Sequence, residues 1–239
     1  MKLRLVAIVV ACISCTSGTE TGNPLTAELS VGAHSTDPSV ASLAAGDAVV
    51  VESAWVALGD IIFFPVGSCD DAMAAEVAFR GPTAVDLVRS VPFQSFEPTQ
   101  ATYCGVEIPL HPIPSIPEVA PPELDGGTMV VTGRRADGTP FRIVSAMVLR
   151  LQIRGPMDSF DVEAAPVLLA ALDVALWFAG IDLDALAAEP DGTIAIDASR
   201  NAATLELFET NVLHSADLHH DVNRNGHVDP GEERVAVHH

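Results

Sequence analysis

The chain has 239 residues, with 32 Asp and Glu against 12 Lys and Arg, so its formal charge is -20 at neutral pH. A field of that sign argues against nucleic acid as a partner. Hydrophobic residues make up 49% and charged ones 18%, which predicts a folded globular body with a sizeable core and not a disordered or fibrous chain. Beyond the N-terminus there is no apolar run of about 18 residues, which argues against a transmembrane helix in the mature chain.

Met1-Lys2-Leu3-Arg4 is a positive start, Leu5 to Ala11 is apolar throughout, and Cys12-Ile13-Ser14-Cys15 leads into the small and polar stretch Thr16 to Gly22. That layout is expected of a secretory signal over residues 1–15. A Cys so close behind the apolar run resembles a bacterial lipoprotein signal, which is cut before a Cys whose sulfur carries a diacylglycerol. Val9-Val10-Ala11-Cys12 makes the better small-residue box, whereas Cys15 leaves a signal of more ordinary length. Gly18-Thr19-Glu20-Thr21-Gly22-Asn23-Pro24 also resembles the start of a group of uncharacterised bacterial lipoproteins. That resemblance covers seven residues, implies lipidation at Cys15 with Cys12 as the alternative, and carries no activity with it. The expected address is the bacterial cell envelope, with the membrane as a partner through the N-terminal lipid. Acidity disfavours adsorption to anionic lipid, so the acyl chains must do the anchoring.

Residues 16–47 are rich in Thr, Ser, Gly, Ala and Asp and show little periodicity apart from Ala27 to Val31, so they are expected to be a flexible tether. From Ala48 the texture changes. Residues 49–58 and 61–64 are β-branched and aromatic runs around Gly59-Asp60, which predicts two strands joined by a tight turn. Thr83 to Val91 and Ala101 to Leu110 read as further strands. Prolines at 109, 112, 114, 117, 121 and 122 predict an extended crossover along the surface, because each lacks an amide donor.

Thr128 to Arg135 and Pro140 to Ser145 flank Asp137-Gly138, the strongest hairpin signal in the chain. Met147, Leu149, Leu151 and Ile153 alternate with polar residues, as on a half-buried strand. Ser159 to Glu163 and Val167 to Leu176 extend the sheet, although the Ala-rich second segment also suits the start of a helix. Asp182 to Glu189 predicts a short helix and Thr193 to Asp197 a strand. Leu205, Phe208, Val212 and Leu213 share one helical face over 200–214, the alternative being a strand over 204–208. The sum is a mainly β fold: an antiparallel β-sandwich body over 48–198, and a smaller α-helical C-terminal part over 199–239 that ends in a loop packed on the body.

Cys69 and Cys104 remain once the signal is set aside. In an oxidising compartment a leftover pair is expected to form a disulfide, with two buried free thiols as the alternative.

Asp221-Val222-Asn223-Arg224-Asn225-Gly226-His227-Val228-Asp229-Pro230-Gly231-Glu232 resembles the twelve-residue calcium loop of EF-hand proteins and dockerin-like modules. Calcium takes six to eight hard oxygens, and the first, third and fifth positions of such a loop present them from Asp221, Asn223 and Asn225. Gly226 permits the sharp turn at the sixth place, and His227 offers its backbone carbonyl at the seventh. Asp229 acts directly or through water, and Glu232 closes the site with both carboxylate oxygens. The chain has no second loop to pair with, so the expected role is a structural calcium ion and not a sensor. Two neutral amides among the ligands predict an affinity of about 10⁻⁴ to 10⁻³ M, as in extracellular modules.

Histidines cluster nearby at 214, 219, 220, 227, 238 and 239, and His214 with Asp217 or His219 could contribute to a zinc, copper or nickel site. No Gly-x-Ser-x-Gly elbow, His-Glu-x-x-His, phosphate loop or dinucleotide fingerprint occurs. Asp182 with Asp184 has no more weight as a carboxylate pair than chance gives 32 acidic residues, and Trp55 and Trp177 suit a core better than a sugar platform. The reading is a non-catalytic lipid-anchored envelope protein, a structural or binding module whose protein or glycan ligand the residues do not identify. The alternatives are a hydrolase or carbohydrate-acting enzyme and a histidine-based metal-handling lipoprotein.

Overall fold

The computed structural model describes residues 24–34, 43–45, 49–69, 71, 73–89, 91–156 and 159–238, and in it the chain is mainly β. The signal 1–15, both Cys12 and Cys15, and Gly18 to Asn23 lie outside the described residues. Strand β1 (Ala27–His34) falls inside the segment expected to be a tether. Its Leu29 and Val31 are buried, and its backbone is hydrogen-bonded into a sheet on both sides, so this stretch belongs to the body. A two-residue strand, β2 (Ala44–Ala45), follows and pairs with β3 (Val49–Leu58).

The expected strands on either side of Gly59 form, but they do not pair with each other. β3 and β4 (Ile61–Pro65) run in succession along one neighbour, β8 (Thr102–Leu110): Leu58 lies opposite Leu110, and Ile62 opposite Glu107. Gly59 N–H donates to the Pro109 carbonyl, and Asp60 Oδ1 accepts from Gly81 N–H. What resembles a turn is a break within one long antiparallel run. Between β4 and β8 lie three short strands, β5 (Glu76–Phe79), β6 (Thr83–Asp86) and β7 (Gln94–Phe96). Of the segment 83–91, only its first part is strand. Pro109 lies within β8, one residue before its end at Leu110, and a 3-10 turn at Pro122–Leu124 lies in the crossover that follows.

β9 (Met129–Arg135) and β10 (Pro140–Ser145) form the hairpin around Asp137-Gly138, with Gly138 at positive φ and Asp137 Oδ1 accepting from Thr139 N–H. Gly133 stands where β3 and β10 both press on β9: a Cβ there would lie 2.2 Å from the Val50 carbonyl oxygen. In β11 (Leu149–Arg154) Leu149, Leu151 and Ile153 are buried and Arg150 and Gln152 exposed, whereas Met147 precedes the strand and is exposed. β12 (Phe160–Asp161) is short. β13 (Val167–Asp173) passes directly into a one-turn helix, α1 (Val174–Trp177), so the ambiguous Ala-rich segment is a strand and then a helix.

A 3-10 turn at Leu183–Ala185, β14 (Ile194–Ile196), α2 (Ala202–Leu213), β15 (Ala216–His220) and β16 (Arg234–His238) complete the chain. Leu205, Phe208 and Val212 are buried on α2, on the face that their spacing predicts. β16 occupies the place that a calcium-binding helix pair would give to its exit helix.

The hydrogen-bonded order β14-β10-β9-β3-β8-β11-β16-β15-β13-β1-β7 is one continuous mixed sheet. Most ladders are antiparallel, while β1 pairs with β13, and β10 with β14, in parallel, so the sheet is mixed. One core contains Leu29 and Val31 of β1, Val56 of β3, Ile108 of β8, Ala170 of β13 and Phe208 of α2.

Cys69 and Cys104 are bonded, with Cα atoms 5.7 Å apart. Next to this bond, Glu76 accepts hydrogen bonds from Tyr103 O–H at 2.6 Å, from Thr99 N–H at 3.0 Å and from the Thr99 hydroxyl. Burial opposes the charged carboxylate, yet these three donors outweigh it and hold Glu76 below its usual range. Burial and the carboxylate together push the Tyr103 hydroxyl up. Glu76→Gln is expected to cost about 1 to 2 kcal/mol at pH 7, since it weakens charge-assisted bonds. A carboxylate held low contributes stability above its ordinary pKa and loses it as pH falls through the folded value. Denaturant titrations from pH 7 down to pH 3 should therefore fall less steeply below about pH 4.5 for the Gln variant.

Candidate metal centre

The segment 221–233 connects β15 to β16 and folds back over β1. Asp221 begins it: its backbone N–H donates to the Val167 carbonyl, extending the β13 ladder, and its side chain is fully buried. Asp221 Oδ2 accepts from Gly226 N–H at 2.7 Å and Oδ1 from Asn225 N–H at 3.2 Å. The loop therefore winds around its first carboxylate. Gly226 has φ 73°, the left-handed conformation that glycine adopts without a Cβ penalty, and Arg224 shares it at φ 60°.

Asn223 Oδ1 accepts from Asn225 N–H, and Asn225 Oδ1 from His227 N–H, each a short turn closed by a side chain. The two amide groups then converge: Asn223 Nδ2 and Asn225 Nδ2 both donate to Asp229 Oδ2 at 2.6 Å. Glu232 is turned into the loop, Oε1 accepting from Val222 N–H and Oε2 from Asp229 N–H, both at 3.0 Å. His227 leaves its imidazole exposed. All six residues singled out from the sequence thus lie in one closed loop, with the side chains of positions 3, 5 and 9 in mutual contact.

Among the described residues, no three His, Cys, Asp or Glu side chains are drawn to one point as metal ligands. In the loop, the partial positive charge of two amide NH2 groups meets Asp229, and N–H groups hold Asp221 and Glu232. The donor set fits a hard cation by chemistry, with three carboxylates, two amide carbonyls and a backbone carbonyl within twelve residues.

The loop is seated on the sheet face opposite the core. A Cβ on Gly32 of β1 would lie 3.2 Å from the Gly226 carbonyl oxygen, and Arg224 pairs with Glu28 of β1 at 2.5 Å. The same face carries His34, Asp217 and His219. His219 does not meet His214, the pairing expected from the sequence; its ring stands against His34, while His214 stands against His238. Asp217 is held by Arg234 and His238. Burial, reinforced by His34, pulls the His219 imidazole down to about 4, so it is neutral at pH 7. His34 is not legible as its partner, since it lies in the segment expected to be a tether.

Asp182 caps the 3-10 turn through Asp184 and Ala185 N–H, and Asp184 pairs with Arg135, so the two carboxylates serve local structure. Trp177 is in the core. Trp55 is half-buried and borders a groove of about 630 Å³ with Val85, Arg89, Pro117 and Val119. Compared with known proteins, the chain matches no family model, no curated protein and no solved structure.

Proposed function

We propose that the protein is a lipid-anchored, non-catalytic module of the bacterial cell envelope whose β body is stabilised by one structural calcium ion in the loop 221–232. The observation that supports it is the winding of this loop around buried Asp221, with Asn223, Asn225 and Asp229 in contact and Glu232 turned inward. Asp221, Asn223, Asn225, Asp229 and Glu232 would hold the ion through side-chain oxygens and His227 through its carbonyl. The ion would supply a full positive charge where amide groups now supply partial ones, and would tie the β15–β16 connection to β1. The bonded Cys69–Cys104 pair supports an oxidising compartment, and the start of the chain supports the lipid. Strands from both ends of the sheet order pack into one core, which supports a two-layered, sandwich-like body.

With an affinity of about 10⁻⁴ to 10⁻³ M, roughly 10 mM calcium should stabilise the fold by about 1.4 to 2.7 kcal/mol and raise Tm by roughly 3 to 10 °C. Magnesium at the same concentration should do much less, and Glu232→Gln should abolish the calcium shift. Calorimetry that finds no calcium heat, together with an unchanged Tm, would overturn the structural-ion reading. Labelled palmitate should be lost on Cys15→Ala; its loss on Cys12→Ala instead would move the lipid to that residue.

A further inference from the structure

We propose that His34 and His219 form a second metal site, for a divalent transition-metal ion of the zinc and copper class. β1 and β15 flank β13; His34 stands opposite Asp173 and His219 opposite Leu169, which places both on one face of the sheet by alternation. Their ring centroids are 5.6 Å apart, with the planes at 75°. With metal–nitrogen bonds of about 2.0 to 2.1 Å, two imidazoles sharing one ion have centroids roughly 5 to 6.5 Å apart. The observed separation therefore accommodates a shared ion.

His219 supplies a second observation. It is 7% exposed, and neither Nδ1 nor Nε2 has a hydrogen-bond partner. An imidazole buried in this way is costly unless something satisfies it, and a metal ion would. His34 is half-buried as a residue, and its ring nitrogens, like those of His219, are shielded from solvent, so an ion entering the pair would be enclosed by protein. Asp217 stands near His219 but is engaged by Arg234 and His238, so it is not a ligand and its charge is balanced by Arg234. Two protein ligands leave the remaining positions to water or to an external donor. The site shares no residue with the calcium loop and takes nitrogen where that loop offers oxygen, so either can fail without the other.

The test is a zinc titration of the full chain at about pH 7.5, in millimolar calcium, against a chromophoric chelator. One zinc ion per chain should bind in the micromolar range, and His34→Gln or His219→Gln should each weaken binding by about tenfold or more. His214→Gln should leave it unchanged. Copper(II) added to the wild type should give an electron paramagnetic resonance spectrum with coupling to two imidazole nitrogens, reduced to one in the His34 variant. Should His219→Gln fail to fold by circular dichroism, the half-buried His34 variant and the wild-type spectrum decide the matter. No zinc binding by the wild type, or wild-type affinity in both glutamine variants, overturns the proposal.

Discussion

Trp177→Ala should cost about 3 to 5 kcal/mol, the range for removing a fully buried aromatic side chain. The indole lies where α1, α2 and β15 meet. Its Nε1–H donates to Ser215 Oγ at 2.8 Å, and that hydroxyl in turn donates to the Val212 carbonyl at the end of α2. Its ring stands edge-on to Phe208, which also touches Phe178, and Phe178 touches Phe141 of β10. Truncation therefore leaves a large void in a row of aromatic contacts and removes one hydrogen bond from a buried hydroxyl. Collapse around the void is limited, because α2 is tied to α1 by Asn211 donating to the Trp177 and Ala179 carbonyls. Trp177→Phe keeps most of the volume and should cost about half as much or less. Urea denaturation followed by the fluorescence of Trp55 measures both variants. A loss below about 1 kcal/mol for the alanine variant would mean that the helix pair is not packed on the sheet in this way.

How far the chain can be read depends on whether the determining contact is local. β11 is legible because one of its faces is buried and the other solvated, so Leu149, Leu151 and Ile153 alternate with Arg150 and Gln152. The β9–β10 hairpin is legible from Asp137-Gly138, and α2 from the spacing of Leu205, Phe208 and Val212. The loop 221–232 is legible because its constraints are contained within twelve residues. β1 is not legible. Its small residues suit a linker, and what makes it a strand is parallel pairing with β13, from Glu28 opposite Val167 to His34 opposite Asp173. Gly59-Asp60 misleads for the same reason: the partners that set it are Pro109 and Gly81, remote in sequence, so a dipeptide that favours turns marks a break instead. The approach of His34 to His219 depends on β1 being in the sheet at all, and it is lost with that strand.

Removing the Cys69–Cys104 bond should cost about 3 to 4 kcal/mol, from the entropy that a link across 35 residues withholds from the unfolded chain. Cys104 is buried in β8, and Cys69 lies in the connection from β4 to β5, so the bond pins this connection to the strand that β4 already borders. Arg154 Nη1 also donates to the Cys69 carbonyl at 3.1 Å, and Glu76 holds the far end of the connection through Tyr103 and Thr99. These contacts keep the folded geometry after Cys69→Ala and Cys104→Ala, which is why the loss should come chiefly from the unfolded side. Guanidinium titration of the double variant against the oxidised wild type measures it. The reduced wild type should match the variant closely, whereas a difference below about 1 kcal/mol between the oxidised protein and the variant would mean that β5 to β7 stay compact in the unfolded chain. The bond also links stability to the proposed address. Protein made without residues 1–15 in a reducing cytosol should carry two titratable thiols at these positions and melt at a lower temperature. Exported protein should carry neither thiol there, and equal melting of the two forms would separate the disulfide from the stability of the fold.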